Sequence, residues 1–337
     1  MGRDEKVRWG ILSTAGIGIN HVIPGLLKSP HAEVVAISSR DGGRARAVAD
    51  RFAIPRAYGS YEALLEDPEI DVVYNPLPNH LHVDFTLAAA SKGKHVLCEK
   101  PIGITAEDAR RLRSVPDGIL IGEAFMVRHH PQWKRAREVV RSGELGEIKA
   151  IRALFAYHNV EPDNVRNQAE IGGGGLLDIG CYAVTAGRYF FEAAPERALA
   201  LIDRDPGFGT DRLASVLLDF GRGRQLNFTS ATQLVPAQSL EILGPSGRLE
   251  LEIPFNPPAD HHTAIVIDKG ESLGGELARR EILPACDQYT EQANAFARAI
   301  ATKEPLEHDV ADAIVNMAVL DAIFASERTN SWASVQS

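Results

Sequence analysis

The chain has 337 residues, enough for about two domains at roughly 150 residues each, and its 45% hydrophobic and 24% charged content is that of a folded globular protein. Its 45 acidic residues outnumber its 36 basic ones, a net charge of −9 that argues against a dedicated nucleic-acid binder. Three scattered cysteines (Cys98, Cys181, Cys286), no signal-peptide core, Lys6 where myristoylation needs Ser or Thr, and no apolar run of ~18 residues lead us to expect a cytoplasmic protein without a membrane partner.

The first third alternates short β-branched runs with helical patterns, which predicts βαβ units and a doubly wound parallel sheet. Strands are expected at Val7–Leu12, Glu33–Ser38, Asp71–Asn75, His95–Cys98 and Ile119–Ala124. Helices are expected at Ile19–Leu27, Gly43–Phe52, Tyr61–Leu65, Leu81–Ser91 and Glu107–Leu112. After Phe125 the pattern changes, so the division expected is a dinucleotide-binding Rossmann domain over 1–125 and an α+β domain for substrate and dimerisation over 126–337. The last helix is allowed to pack back on the first domain.

In the second part apolar residues alternate with period two. Leu226, Phe228 and Ser230 face one way, Asn227 and Thr229 the other, and Leu249, Leu251 and Ile253 repeat the pattern. Turns at 221–224 and 244–247 should join hairpins. Helical spacing returns at Leu176–Phe191 and at Val310–Ser326, the latter capped by Asp309. An open, mainly antiparallel sheet with helices on one face follows, and a second copy of the chain is the simplest cover for the other face.

The segment Gly10-Ile-Leu-Ser-Thr-Ala-Gly-Ile-Gly18 joins the first strand to the first helix, where a doubly wound sheet binds a pyrophosphate against a helix N-terminus. With Gly18 as the third glycine of the fingerprint, Ser13 and Ala15 hold the first two positions. The backbone and small side chains of Ser13, Thr14, Ala15, Gly16, Ile17 and Gly18 are the candidate cradle, and a plain strand-to-helix turn is the alternative. Ser39 stands 21 residues beyond Gly18, with Arg40 next. A hydroxyl and a guanidinium there suit the 2′-phosphate of NADP better than the ribose diol of NAD. Asp41 follows, and an Arg40–Asp41 surface pair is the competing reading.

At the end of the fourth expected strand stands Cys98-Glu99-Lys100-Pro101, preceded by Asn75-Pro76-Leu77-Pro78-Asn79-His80-Leu81-His82 and followed by Ile102-Gly103-Ile104-Thr105. These residues resemble the Glu-Lys-Pro signature of the glucose-fructose oxidoreductase and inositol dehydrogenase family. Gly173-Gly-Gly-Leu-Leu-Asp178-Ile-Gly-Cys-Tyr182 resembles the branch of dihydrodiol dehydrogenases and NADP-dependent D-xylose dehydrogenases. Glu123-Ala-Phe125, Gly143-Glu-Leu-Gly146 and Ile253-Pro-Phe-Asn-Pro-Pro258 extend the likeness over most of the chain.

The resemblance implies an NADP-dependent dehydrogenase acting on a sugar or cyclic trans-diol, assembled as a homodimer or larger homo-oligomer. Lys100, Tyr182 and Asp178 are its candidate catalytic residues. An ammonium at the carboxyl end of a parallel strand polarises a carbonyl or lowers the pKa of a phenol. Asp178 and Tyr182 are four apart on a helical stretch and share a face. The family pattern has His where this chain has Tyr182, so whether Tyr182 or Lys100 carries the proton stays open. Pro76, Leu77, Asn79, His80 and Glu99 are expected near the cofactor, with a solvated loop as the alternative for His80. Arg166 and Asn167 resemble substrate-pocket positions, or belong to a surface loop. Phe125 is assigned to the same pocket, although packing alone would explain it.

Other histidines pair as His80 and His82, His129 and His130, and His261 and His262. None has Cys or acidic partners at ligand spacing, and no metal is expected. Gly172–Gly175 reads either as a flap or as a lead into a helix. A cofactor-dependent glycosidase with transient oxidation and a non-catalytic sugar or nucleotide sensor are the rival functions on the same fold.

Overall fold

The computed structural model describes residues 6–336. They divide into two compact units, one running to Met126 and resuming over Asp287–Ile314, the other comprising Val127–Cys286 and the residues from Val315 onward. Among the described residues no helix is long and apolar enough to cross a membrane.

In the first unit β1 (Val7–Ile11), β2 (Ala32–Ser38), β3 (Arg56–Tyr58), β4 (Val72–Asn75), β5 (His95–Cys98) and β6 (Ile121–Glu123) pair in parallel in the order β3-β2-β1-β4-β5-β6. Helices α1 (Ile23–Lys28), α2 (Gly42–Phe52), α3 (Tyr61–Leu65), α4 (His82–Ser91) and α5 (Ala106–Arg110) alternate with them. Strands buried on both faces read as nearly continuous apolar runs, as Val72, Val73 and Tyr74 do at 0% exposure. The three-residue β3 was not expected, because Arg-Ala-Tyr has no strand-like run; its pairing with β2 defines it.

Several helix starts also differ. The first begins with a π-helical turn at Gly18–Val22 before α1, and α4 is preceded by a 3-10 turn at Asn79–Leu81. A second 3-10 turn, Arg111–Ser114, follows α5, so the helix expected to reach Leu112 ends earlier. A helix that was not expected, Gln288–Thr302, joins this unit. Its Phe296 packs 5.8 Å from the fully buried Trp9, and its Thr290 hydroxyl donates to the Gly25 carbonyl at 2.9 Å.

The second unit contains α6 (Pro131–Arg141), β7 (Ala150–His158), α7 (Cys181–Phe191), β8 (Arg197–Arg204), β9 (Asp211–Asp219), β10 (Gln225–Ala231), β11 (Gln233–Gly244), β12 (Gly247–Leu251), β13 (Thr263–Asp268), β14 (Arg279–Leu283) and β15 (Ala333–Ser334). The sheet order is β14-β13-β12-β11-β7-β10-β9-β8-β15. Within this sheet, among the described residues, only β7 and β10 pair in parallel; the hairpins expected at 221–224 and 244–247 join β9 to β10 and β11 to β12. Leu226, Phe228, Ser230, Leu249 and Leu251 are buried, whereas Ile253 lies beyond β12 and is 42% exposed, which ends the expected alternation two residues early. Asp309 caps the helix Val310–Thr329 by accepting from the N–H groups of Ala311 and Asp312.

The unexpected α6 places Trp133 in the core, with its indole N–H donating to the Pro254 carbonyl at 2.7 Å. Nearby, the rings of Phe155, Tyr182 and Phe255 meet at 4.8–5.7 Å. Such aromatic clusters combine large burial with specific ring geometry.

The seat of helix Gln288–Thr302 depends on Gly25. A Cβ there would lie 2.8 Å from Tyr289 Cβ and 3.1 Å from the Thr290 amide nitrogen, so backbone must move. Gly25→Ala is expected to destabilise the first unit by about 1–3 kcal/mol despite the better helix propensity of Ala, read as a lower urea midpoint at unchanged m-value.

Candidate active site

Parallel pairing brings the carboxyl ends of β1, β2, β4, β5 and β6 to one edge of the first sheet, where ligands bind in doubly wound folds. After β1, Ser13 has φ of 68°, the left-handed conformation that explains why the usual occupant is glycine. Its Oγ accepts from the Ala15 N–H at 3.2 Å, a local bond that helps a non-glycine residue tolerate the turn. Thr14, Ala15, Gly16 and Ile17 then lead directly into the π-turn that starts at Gly18. π-turns are rare and recur at functional sites.

After β2, Ser39 is buried, its Oγ accepting from the Asp41 N–H at 3.2 Å, and Arg40 is exposed. Asp41 caps α2 by accepting from the N–H groups of Gly43 and Arg44, which gives its carboxylate a role other than the surface pair with Arg40. The residues present fit a phosphate: small side chains around an early helical turn, and an exposed guanidinium one strand away.

Lys100 follows β5 on a segment braced from four directions. The Glu99 N–H donates to the Asn75 carbonyl at 3.0 Å, and the Glu99 carboxylate accepts from the buried Tyr74 hydroxyl at 2.6 Å. Burial, with the Glu99 charge beside it, holds the Tyr74 phenol far above its usual pKa, so it remains a donor. The Ile102 N–H donates to Glu123 Oε1 at 2.8 Å. His82 lies between two carbonyl oxygens, with Nδ1 at 2.7 Å from Pro101 and Nε2 at 2.7 Å from Leu77. Burial pushes its pKa down to about 4 against the opposing pull of the two carbonyls, and the neutral ring, with one N–H, donates to one of the two oxygens while packing against the other. The Lys100–Pro101 peptide is cis.

Around that loop, Leu77 is buried with its N–H on Asn75 Oδ1, Pro76 precedes it, and Asn79 and His80 form the half-exposed 3-10 turn. Phe125 is 1% exposed, held by its N–H to the Glu123 carbonyl. In the first unit, then, the expected cofactor residues and Lys100 share the sheet edge.

In the second unit Asp178 sits within another π-turn, Leu176–Gly180, and Tyr182 follows in α7. Asp178 Oδ2 accepts from the Tyr157 hydroxyl at 2.7 Å and from Arg166 Nε at 2.8 Å. The Asp178 charge raises the Arg166 pKa, and burial followed by Asp178 raises that of Tyr157, so both act as donors that fix the carboxylate. Tyr182 is 5% exposed and contributes electrostatically to Arg166. Asn167 is buried and spends its amide on Asn159 Oδ1 and the Glu161 carbonyl, so it shapes the loop that presents Arg166. Sequence reasoning missed Tyr157, whose only signal is its place on a period-two strand.

Gly172–Gly175 is a close-packed seat. The Gly173 N–H donates to the Gln168 carbonyl and the Gly174 N–H to that of Arg166. Asp211, 2% exposed, accepts from the Leu176 N–H at 2.5 Å. Burial pushes its carboxyl up to about 7, against the opposing pull of that N–H and of Arg204. The other histidines have structural partners: His130 caps α6, His261 bonds Asp260, and His262 bonds the Leu283 carbonyl. Among the described residues no group of three or more His, Cys, Asp or Glu is placed to hold a metal.

Comparison with known proteins matches residues 7–115 to the model of an oxidoreductase family with an NAD-binding Rossmann fold, and residues 133–250 to that of the GFO/IDH/MocA C-terminal domain. An uncharacterized oxidoreductase of Rhizobium meliloti is 46% identical over 333 residues, 98% of this chain and 100% of its own. A D-xylose 1-dehydrogenase (NADP(+)) of Haloferax volcanii is 39% identical over 326 residues, 95% of this chain and 97% of its own. A 3-ketoreductase from Actinomadura kijaniata, solved in complex with NADP and TDP-benzene, superposes with a TM-score of 0.89 at 32% identity, covering 96% of this chain and 98% of that one.

The raised Asp211 pKa has a stability consequence. The folded protein holds this proton more tightly than the unfolded chain, whose Asp pKa is ~3.9. The stabilisation is therefore complete below about pH 4 and lost as pH rises through about 7. Relative to wild type, Asp211→Asn should gain stability between pH 5 and pH 8, by at most about 3 kcal/mol, measured as the difference in urea unfolding free energy at the two pH values.

Proposed function

The chain belongs to the GFO/IDH/MocA oxidoreductase family, with its NAD-binding Rossmann fold, and from that membership we propose that it moves a hydride between NADP and a hydroxyl or carbonyl carbon of a sugar or cyclic trans-diol. The observation that carries the reading is the fourfold bracing of the Lys100 segment at the carboxyl edge of the first sheet. A fixed cation aimed at the place where an oxyanion develops is worth more than a mobile one, because no reorganisation is needed during reaction.

In the oxidative direction Tyr182 takes the proton from the substrate hydroxyl, Lys100 stabilises the oxygen as negative charge builds, and Asp178 accepts a hydrogen bond from a neighbouring hydroxyl. The nicotinamide, when bound, accepts or supplies the hydride. The turn from Ser13 to Gly18 holds the pyrophosphate, with Pro76, Leu77, Asn79, His80 and Glu99 beside the cofactor. Ser39 and Arg40 take the 2′-phosphate. NADP binding by the Haloferax and Actinomadura relatives supports that preference. Arg166 faces substrate, whereas Phe125, at 1% exposure, is a packing residue. Exposed apolar side chains on the second sheet, Leu201 and Val235 among them, support pairing with a second copy of the chain in the cytoplasm.

The direct test is turnover with NADP and NAD across aldoses, cyclic polyols and trans-dihydrodiols, with keto-sugars in the reverse direction. NADP-preferring turnover is expected; tight NADPH binding with no turnover on the panel would overturn the reading. Arg40→Ala should weaken NADPH binding by about tenfold or more and leave NADH nearly unchanged, since one charge-assisted contact to phosphate is worth about 1.5–3 kcal/mol.

Lys100→Met should lower kcat by ~100-fold or more at nearly unchanged NADPH affinity. Tyr182→Phe should abolish the limb of the pH–rate profile that reports the proton acceptor. An unaltered profile removes Tyr182 from the proton step.

A further inference from the structure

We infer that Asp211 is a positioning residue for the Asp178 and Tyr182 site: its buried carboxylate, clasped by the Gly174–Gly175 backbone, pins the first N–H of the π-turn that aims Asp178. The inference rests on the function proposed above for Asp178 and Tyr182, but the clasp itself is a property of the second unit alone.

Of the three consecutive glycines, Gly174 and Gly175 are explained by this contact and Gly173 by the loop before it. A Cβ on Gly173 would meet the Gln168 and Arg166 carbonyl oxygens at 2.6 and 2.7 Å. Gly174 has φ of 118°, and a Cβ there would overlap Asp211 Oδ1. On Gly175 it would press on the carbonyl and carboxylate oxygens of Asp211, each at 3.3 Å. The carboxylate therefore lies against bare backbone, where no other residue type leaves room.

From that seat Asp211 Oδ2 accepts from the Leu176 N–H, and the Gly174 carbonyl accepts from the Asp178 N–H at 3.1 Å. The first turn of a helix leaves its N–H groups without internal partners, so this one bond decides where the π-turn begins. The start of the turn sets the direction of Asp178, two residues on. The same glycine segment holds the Arg166 carbonyl, and the Arg166 side chain bonds Asp178. One carboxylate thus fixes both the turn carrying Asp178 and the loop carrying its partner.

The arrangement is costly, because burial opposes ionisation of Asp211. Charged and titratable groups acting on it come from three strands or helices: Arg204 on β8, the Glu327 that pairs with Arg204 from the helix Val310–Thr329, and Tyr157 on β7. Arg204 favours the charge, while Glu327 opposes it. Because burial makes the folded state hold the Asp211 proton more tightly than an opened one, lowering the pH does not by itself release the clasp; removing the carboxylate does.

Hydrogen exchange of the amides in 173–182, corrected for intrinsic rate, tests this on the full chain. In wild type the protection of the Leu176 and Asp178 amides is expected to persist at both pH 8 and pH 6, at least about tenfold above that of a variant without the carboxylate. In Asp211→Asn it should be low at both pH values, with kcat reduced about tenfold and the Kd for NADPH unchanged.

Wild-type protection of these amides that is already low at pH 8 overturns the clasp without any variant. Asp211→Asn with wild-type protection, or with wild-type kcat and pH profile, overturns the positioning role. If wild type itself turns over no sugar or diol, the functional proposal fails, and the exchange data still decide whether Asp211 governs the turn.

Discussion

Parallel pairing of β1 with both β2 and β4 is the constraint on which the cofactor half of this protein depends. Because both neighbours run the same way as β1, the connections must cross over through helices, and each strand delivers its carboxyl end to the same edge. Ser13, Ser39 and Arg40, the loop from Pro76 to His80, and the segment from Glu99 to Ile102 are far apart in the chain. They are brought to one edge because backbone hydrogen bonding leaves no other arrangement of these strands.

At that edge the protein places polar groups where they cost most. Tyr74 on Glu99, Glu123 on the Ile102 N–H, and His82 between two carbonyl oxygens are buried polar contacts around a segment whose Cys98 and Ile102 are themselves fully buried. A polar group left unpaired in such surroundings is strongly unfavourable, so the braces permit few alternative positions for Lys100. In the second unit Tyr157 and Arg166 do the same for Asp178. Both units carry a π-turn at their candidate site, at Gly18–Val22 and at Leu176–Gly180, where an extra residue per turn re-aims the side chains.

Much of this was legible in the residues. The alternation of β-branched runs with helical spacing predicted the parallel sheet, and the Glu-Lys-Pro and Gly-rich segments pointed to Lys100, Asp178 and Tyr182. β3 escaped because three residues carry no period, and α6 and the helix Gln288–Thr302 because the surrounding period-two pattern drew attention away from them. The glycine run was open to two readings until Asp211, more than thirty residues later, was seen to occupy the space a Cβ would need.

By itself the sequence determined what depends on local chemistry: most strand and helix types, the place of Ser13 at a glycine position of the fingerprint, the cap at Asp309, and which residue types stand ready for proton and hydride chemistry. Only the tertiary structure decided which of them are held. His82 looked like half of a metal pair and is a brace, Asp41 looked like a partner for Arg40 and is a cap, and Asp211 had no sequence signal at all. Each answer depends on a hydrogen-bond partner or an excluded volume that only the folded chain supplies, and burial, which turns those contacts into constraints, is a property of the whole fold.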